Sequence, residues 1–407
     1  MIVLDADSLM TGASLTRLAD ELSADPAAGL IQTGPQLYGA RTLFARFQQF
    51  ANVAYGALMS EGLALYSRRE SSFWGHNAIL RIPAFAECCG LPKLRDFRGR
   101  ETLILSHDIV EAGLLRRAGW SVRFVPEISG SFEETPPTLV DFSLRDRRWC
   151  YGNMQHLRLL GAAGFHPMSR FHMLHGAASY LLSLGWFILL VIWAVLGKGA
   201  EASLISYFSP EMPLYPSWPE MSRVSSLLIL LFMYSMLMVP KLLGAATVLA
   251  DADMRAAYGG PWRFLRSFLI EVLASVAYAP VLMIQQTLAV MRSFLGIRAR
   301  WEPQQRQEGS YSWMTLAKFH ALETVTGLML SLGMIMGLVS LWMLPIAISL
   351  TLAVPLSAMS GLIMGRLWLT TPQEQRPPRV IPLAEKKREG VARVLNAAED
   401  STQIAAE

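Results

Sequence analysis

Apolar runs long enough to cross a lipid bilayer dominate the middle of this chain. Residues 174–196 and 225–249 are each long enough to span about 30 Å of hydrocarbon. Two more runs follow at 321–342 and 344–364, with Pro345 between them. A fifth, 268–291, is ambiguous because it holds Glu271, Pro280, Gln285 and Gln286. Wherever such a chain meets lipid, its backbone polar groups must be satisfied within helices. Composition agrees, with 17% charged residues where a soluble chain has about a quarter.

Arginines mark the orientation. Arg145, Arg147, Arg148, Arg158 and Arg170 precede the first run, which places the front of the chain in the cytoplasm. The 198–223 loop has only Lys198 and Arg223 and is expected outside. The 250–319 stretch is basic at both ends (Arg255, Arg263 and Arg266; then Arg292, Arg298, Arg300, Arg306 and Lys318). The 268–291 run is therefore read as interfacial or re-entrant. Residues 367–407 are expected to form a cytoplasmic tail, polar and only partly ordered. The formal charge of +4, clustered beside apolar runs, points to membrane lipid and away from nucleic acid. Three cysteines without CxxC or Cys/His spacing exclude a disulfide framework and a zinc site.

Residues 1–170 read differently. Short apolar strands (2–4, 29–32, 78–81, 120–125) alternate with helical patterns at 14–24, 40–66 and from Asp108 to a stop at Gly119. The expected fold is thus α/β plus an α-helical membrane domain, with boundaries at 1–170, 171–366 and 367–407. Because the chain opens inside a strand, upstream sheet is expected to be missing, and with it much of the grip on a nucleotide.

Four groups could carry chemistry. Asp5-Ala-Asp7 follows a strand, and two such carboxylates can hold a divalent cation, though Asp and Ser also cap helices. Ser106-His107-Asp108 opens a helix, where Asp108 is either a capping residue with Glu111 or a general base. Arg145-Asp-Arg-Arg148-Trp149 pairs guanidinium groups with an indole, suiting a phosphate and a sugar ring, or else anchors the membrane surface. Trp74-Gly75-His76-Asn77, after Phe73, suits carbohydrate stacking and hydrogen bonding, or else Phe73 and Trp74 are ordinary core aromatics. Glu133 and Glu134, before two prolines, could touch an acceptor, but read more readily as a solvated loop.

The order of these motifs resembles the processive family 2 glycosyltransferases, such as cellulose and hyaluronan synthases, with motifs written DxD, TED and QxxRW. Here Ser-His-Asp108 stands for TED, and Arg145 stands where Gln is expected. Those departures, with Phe73–Arg81, Gly164-Phe-His-Pro167, Tyr258-Gly-Gly260, Pro303-Gln-Gln-Arg306 and Ser312-Trp313, are similar to the synthases of osmoregulated periplasmic glucans. The resemblance implies a partial GT-A-like catalytic domain, UDP-glucose as donor and a growing β-1,2-linked glucan as acceptor. It implies an inner-membrane, multi-pass location and a periplasmic glucan-processing partner. Asp108 would be the catalytic base. Asp5 and Asp7 would bind Mg2+ or Mn2+ and, with Arg145, Arg148 and Trp149, the donor. Trp74, Gly75, His76 and Asn77 would bind the acceptor. A cellulose-synthase-like enzyme and a non-catalytic membrane subunit are the alternatives.

Overall fold

Strands buried on both faces place the core of the front region on two small sheets. The computed structural model describes residues 1–95, 99–200, 223–297, 311–365 and 368–404. The Pro303–Arg306 motif and residues 201–222 of the expected outer loop lie outside the described residues.

Nine strands are present among them: β1 Ile2–Val3, β2 Leu9–Met10, β3 Ala28–Gln32, β4 Gln36–Leu37, β5 Ala78–Leu80, β6 Leu94–Arg95, β7 Glu101–Thr102, β8 Ser121–Phe124 and β9 Ser131–Glu133. The main sheet runs β1-β5-β3-β8, with β3 parallel to β8 and the other pairs antiparallel. Strand β3 is buried along its whole length, as befits the middle of a covered sheet. A second sheet, β2-β9-β4, follows the Asp5–Asp7 turn, and β6 pairs with β7.

The helices of this region are α1 Gly12–Ala24, α2 Leu43–Ser67, α3 Ile82–Cys88, α4 His107–Arg117 and α5 Leu139–His156. Thr11, Thr42 and Thr138 cap α1, α2 and α5 with their hydroxyls. Leu30, Phe73, Leu80, Leu115 and Val122 form one core between α4 and the main sheet. Leu18, Ile31, Ile79 and Ile128 form another beneath α1.

Then come α6 Pro167–Ala200, α7 Arg223–Ala250, α8 Ala252–Ala257, α9 Pro261–Phe294, α10 Trp313–Phe319, α11 Ala321–Ile335, α12 Leu344–Thr351, α13 Ala353–Ser360, α14 Pro372–Gln375 and α15 Val380–Ile404. Among the described residues, two helices are long and apolar enough to cross a membrane, over Pro167–Ile192 and Pro261–Phe294. The second contains the 268–291 stretch, which is the middle of one continuous 34-residue helix. Its polar side chains do not break it, because neighbouring helices receive them. Glu271 accepts from Tyr55 Oη at 2.9 Å and pairs with Lys241 at 2.7 Å. The 321–342 and 344–364 runs form shorter pieces. Helix α11 stops before Gly337, which turns with φ +64°, and α12 and α13 carry eight residues each.

Helix α2 leaves the sheet and packs its aromatic face on α7 and α9: Phe50, Val53 and Tyr55 meet Ala245, Tyr258 and Phe264. The segment after residue 367, expected to be largely loose, is anchored. Arg46 forms an almost fully buried bidentate pair with Glu374, whose own carboxylate closes a capping box with Thr371. Ile381 at the start of α15 is buried with Tyr38 and Phe132.

Candidate functional site

Helix α4 begins at the end of a segment that α5 grips from behind. Gln155 accepts from Leu105 N at 2.9 Å and donates to Leu103 O at 2.9 Å. His156 Nε2 lies 2.8 Å from Ser106 O. Gly152 lets the two backbones touch, since a Cβ there would sit 2.5 Å from Ser106 N. Asp108 in the first turn is thereby fixed relative to the helix that carries Arg145, Arg148 and Trp149.

The 73–77 loop closes on Asp108 from another side. Gly75, at φ +97°, passes so close that a Cβ would lie 2.9 Å from the Asp108 carboxylate carbon. Trp74 N donates to Gln32 Oε1 at 2.7 Å, and the Trp74 ring lies 5.1 Å from that of Phe124 while remaining 41% exposed. Asn77, at φ +51°, is fully buried. Its amide donates to Ser131 Oγ at 2.6 Å and to Phe132 O at 3.3 Å, so it braces the loop against β9.

His76 links three motifs. Its Nδ1 lies 3.4 Å from Ser8 Oγ, beside the Asp5–Asp7 turn, and its Nε2 lies 3.2 Å from Glu133. Glu133 was expected in a solvated loop. It stands on β9 inside the site, held by the pairing of β9 with β2. Burial pushes its carboxyl above the ordinary range; His76 and Arg145 oppose the shift, and Asp7 and Asp5 add to it. The local signal for Glu133 was slight, because two acids before two prolines usually mark a turn.

Burial also raises the Asp108 carboxyl, with His107 lowering it and Glu111 and Asp5 raising it. His107 Nδ1 lies 3.2 Å from Asp108 and 3.0 Å from Glu111, and the hydrogen bond to Glu111 is the main cause that raises the imidazole pKa. Glu111, itself buried, thus serves more than a helix cap.

Arg145 lies with its guanidinium 4.4 Å over the Trp149 ring. Burial lowers its pKa, while the charges of Glu133, Asp7 and Asp146 favour the cation. Among the described residues its buried Nε has no partner, a donor well suited to an anion. Arg148 is partly buried, and that burial lowers its pKa. Trp149 is 47% exposed and free to stack on a ring.

Asp5 and Asp7 occupy the turn between β1 and β2, and their charges reach Glu133. Among the described residues neither carboxylate takes a side-chain partner. Two unpaired hard-oxygen donors beside a buried acid fit a divalent cation. His107, Asp108 and Glu111 also cluster within reach of a metal, but they already bond to one another.

The arrangement brings Asp108, the 74–77 loop, the Asp5–Asp7 turn and the Arg145–Trp149 helix to one place. The sequence profile of Glycosyl transferase family group 2 matches residues 1–246. Glucans biosynthesis glucosyltransferase H of Shewanella baltica (strain OS223) is 40% identical over 396 residues, which are 95% of this chain and 54% of that protein. The proteins of the same name from Shewanella sp. (strain ANA-3) and Shewanella oneidensis are each 41% identical, with the same coverage. The chain spans about half the length of these relatives. A family profile that covers more than half of the chain, and every motif just described, shows that the chain belongs to glycosyl transferase family group 2.

Proposed function

We propose that the protein transfers glucose from UDP-glucose to a growing β-1,2-linked glucan with inversion at the anomeric carbon. The observation that carries this reading is the close approach of Gly75 to the Asp108 carboxylate. It sets a base beside a loop of exposed indole and backbone that suits a sugar acceptor. In the step, Asp108 takes the proton of the acceptor hydroxyl as its oxygen attacks the anomeric carbon, and UDP leaves from the opposite face. Arg145 and Arg148 would face the diphosphate, and Trp149 would stack near the acceptor sugar. Asp5 and Asp7 would hold Mg2+ or Mn2+, which neutralises charge on the departing diphosphate. The names of the 40%-identical relatives support glucose and glucan as substrates.

The same reading makes the protein a multi-pass protein of the inner membrane, with its α/β layer and its carboxy-terminal segment in the cytoplasm. The two long apolar helices and the arginines beside them support this.

Radiolabelled transfer from UDP-glucose, measured in membranes from cells making the protein, tests the proposal. Asp108→Asn is expected to lower turnover by about a thousandfold or more, a barrier change of about 4 kcal/mol. Unchanged glucan output would leave a non-catalytic membrane subunit. A product without β-1,2 linkages would point to a different family 2 synthase.

A further inference from the structure

Helix α9 carries two adjacent amides, Gln285 and Gln286, in otherwise apolar surroundings, and both reach the same target. Arg147 Nη2 donates to Gln285 Oε1 at 2.6 Å, and Gln286 Nε2 donates to Asp146 Oδ2 at 3.2 Å. Asp146 and Arg147 are the two spacer residues of the Arg145-x-x-Arg148-Trp149 motif. At 100° per residue, Arg145, Arg148 and Trp149 share one face of α5, while Asp146, Arg147 and Cys150 lie on the other. The second face is the one that α6 and α9 receive.

The anchoring is deep. Asp146 also accepts from Tyr180 Oη at 2.7 Å, and Ser183 donates to Gln286 Oε1 at 2.5 Å. Gln285 donates in turn to Glu323, which is fully buried and lies 3.2 Å from His320 Nδ1. Around these groups Cys150, Met154, Ala289 and Val290 pack as plain apolar surface. Apolar contact holds two helices together but is not directional. A hydrogen bond is directional, so the polar pairs set how α5 is rolled about its axis.

We infer that Gln285 and Gln286 are positioning residues for the donor site: through Arg147 and Asp146 they fix the rotation of α5, and with it the direction in which Arg145 and Trp149 project. The inference rests on the transfer reaction proposed above. It also explains why a helix apolar enough to cross a membrane keeps two neighbouring glutamines beside the catalytic layer.

Gln286→Leu in the full protein removes a hydrogen bond from each of Asp146 and Ser183. It is expected to raise KM for UDP-glucose about tenfold, equivalent to about 1.4 kcal/mol, with a smaller change in kcat. Hydrogen exchange over residues 139–156 should rise, while exchange in α4 and the main sheet stays as in the wild type. Thr287→Val, on the same helix but outside these bonds, should move neither quantity. Unchanged KM and unchanged exchange in Gln286→Leu would overturn the inference. So would a general rise in exchange with activity scaling only to the folded fraction. If the wild-type protein transfers no glucose, the transfer reading falls by itself. The exchange arm then decides separately whether the glutamines hold α5, and unaltered exchange rejects it.

Discussion

The site has two acidic centres, and they are held in opposite ways. Asp108 is over-determined: Gly75 closes one side, His107 and Glu111 bond around it, and α5 clamps the segment that leads to it. Asp5 and Asp7 sit on a turn with no side-chain partners among the described residues. A base must keep one direction toward the acceptor through every turnover, so its geometry is built into the backbone. Carboxylates that bind a cation take their final order from the ligand. On the proposed roles, the difference separates scaffold from the parts that respond to binding.

Perturbing the over-determined side should do the most damage. Gly152→Ala drives a methyl group toward Ser106 N, a backbone atom that has no room to withdraw. A loss of about 3 kcal/mol of stability is expected from this overpacking. Turnover should fall by more than the loss of folded protein, measured by thermal unfolding and transfer together. Gly75→Ala comes next. It strains a φ of +97° and pushes on the Asp108 carboxylate. About a hundredfold lower kcat is expected, with KM for UDP-glucose nearly unchanged if the loop serves the acceptor as proposed. A rise confined to donor KM would place Gly75 on the wrong side of the reaction.

Much of this arrangement was legible because its signals are local. Strands over 28–32 and 78–80 are compact apolar runs, 121–124 alternates, and the helix after Ser106 announces itself by its cap and by the glycine that ends it. What the sequence hid depends on distant pairing. Glu133 enters the site only because β9 lies between β2 and β4, with each partnership spanning about a hundred residues. The carboxy-terminal segment reads as polar and loose, yet Glu374 is nearly buried against Arg46, 328 positions away. A capping box at Thr371-Pro-Gln-Glu374 was the available local sign. The glutamines of α9 looked like a reason to break a span. Their partners on α5 are invisible until the helices are packed.

A smaller and more diagnostic effect is expected in the pH profile. The Asp108 carboxyl is raised, chiefly by burial, and it must be ionised to accept a proton. Activity should therefore fall, as pH is lowered, at a higher pH than for an ordinary carboxylate. The nearby His107 lowers the Asp108 pKa. His107→Ala should accordingly move the acidic limb of kcat/KM to still higher pH. A limb that stays in place would mean that another group sets it, and the contrast between the two acidic centres would lose its electrostatic part.

The least effect on folding is expected at the open centre. Asp7→Asn removes a charge that no side chain pairs with, so stability should change by no more than about 0.5 kcal/mol. It removes both a repulsion felt by Glu133 and an attraction that favours the Arg145 cation, and these two effects oppose each other. Transfer should nevertheless drop, and the Mg2+ or Mn2+ concentration for half-maximal rate should rise, as fits a ligand whose partner arrives with the donor. A loss of thermal stability comparable to that of Gly75→Ala would make Asp7 a structural cap of the β1–β2 turn. Both acidic centres would then be scaffold, and the cation would need other ligands.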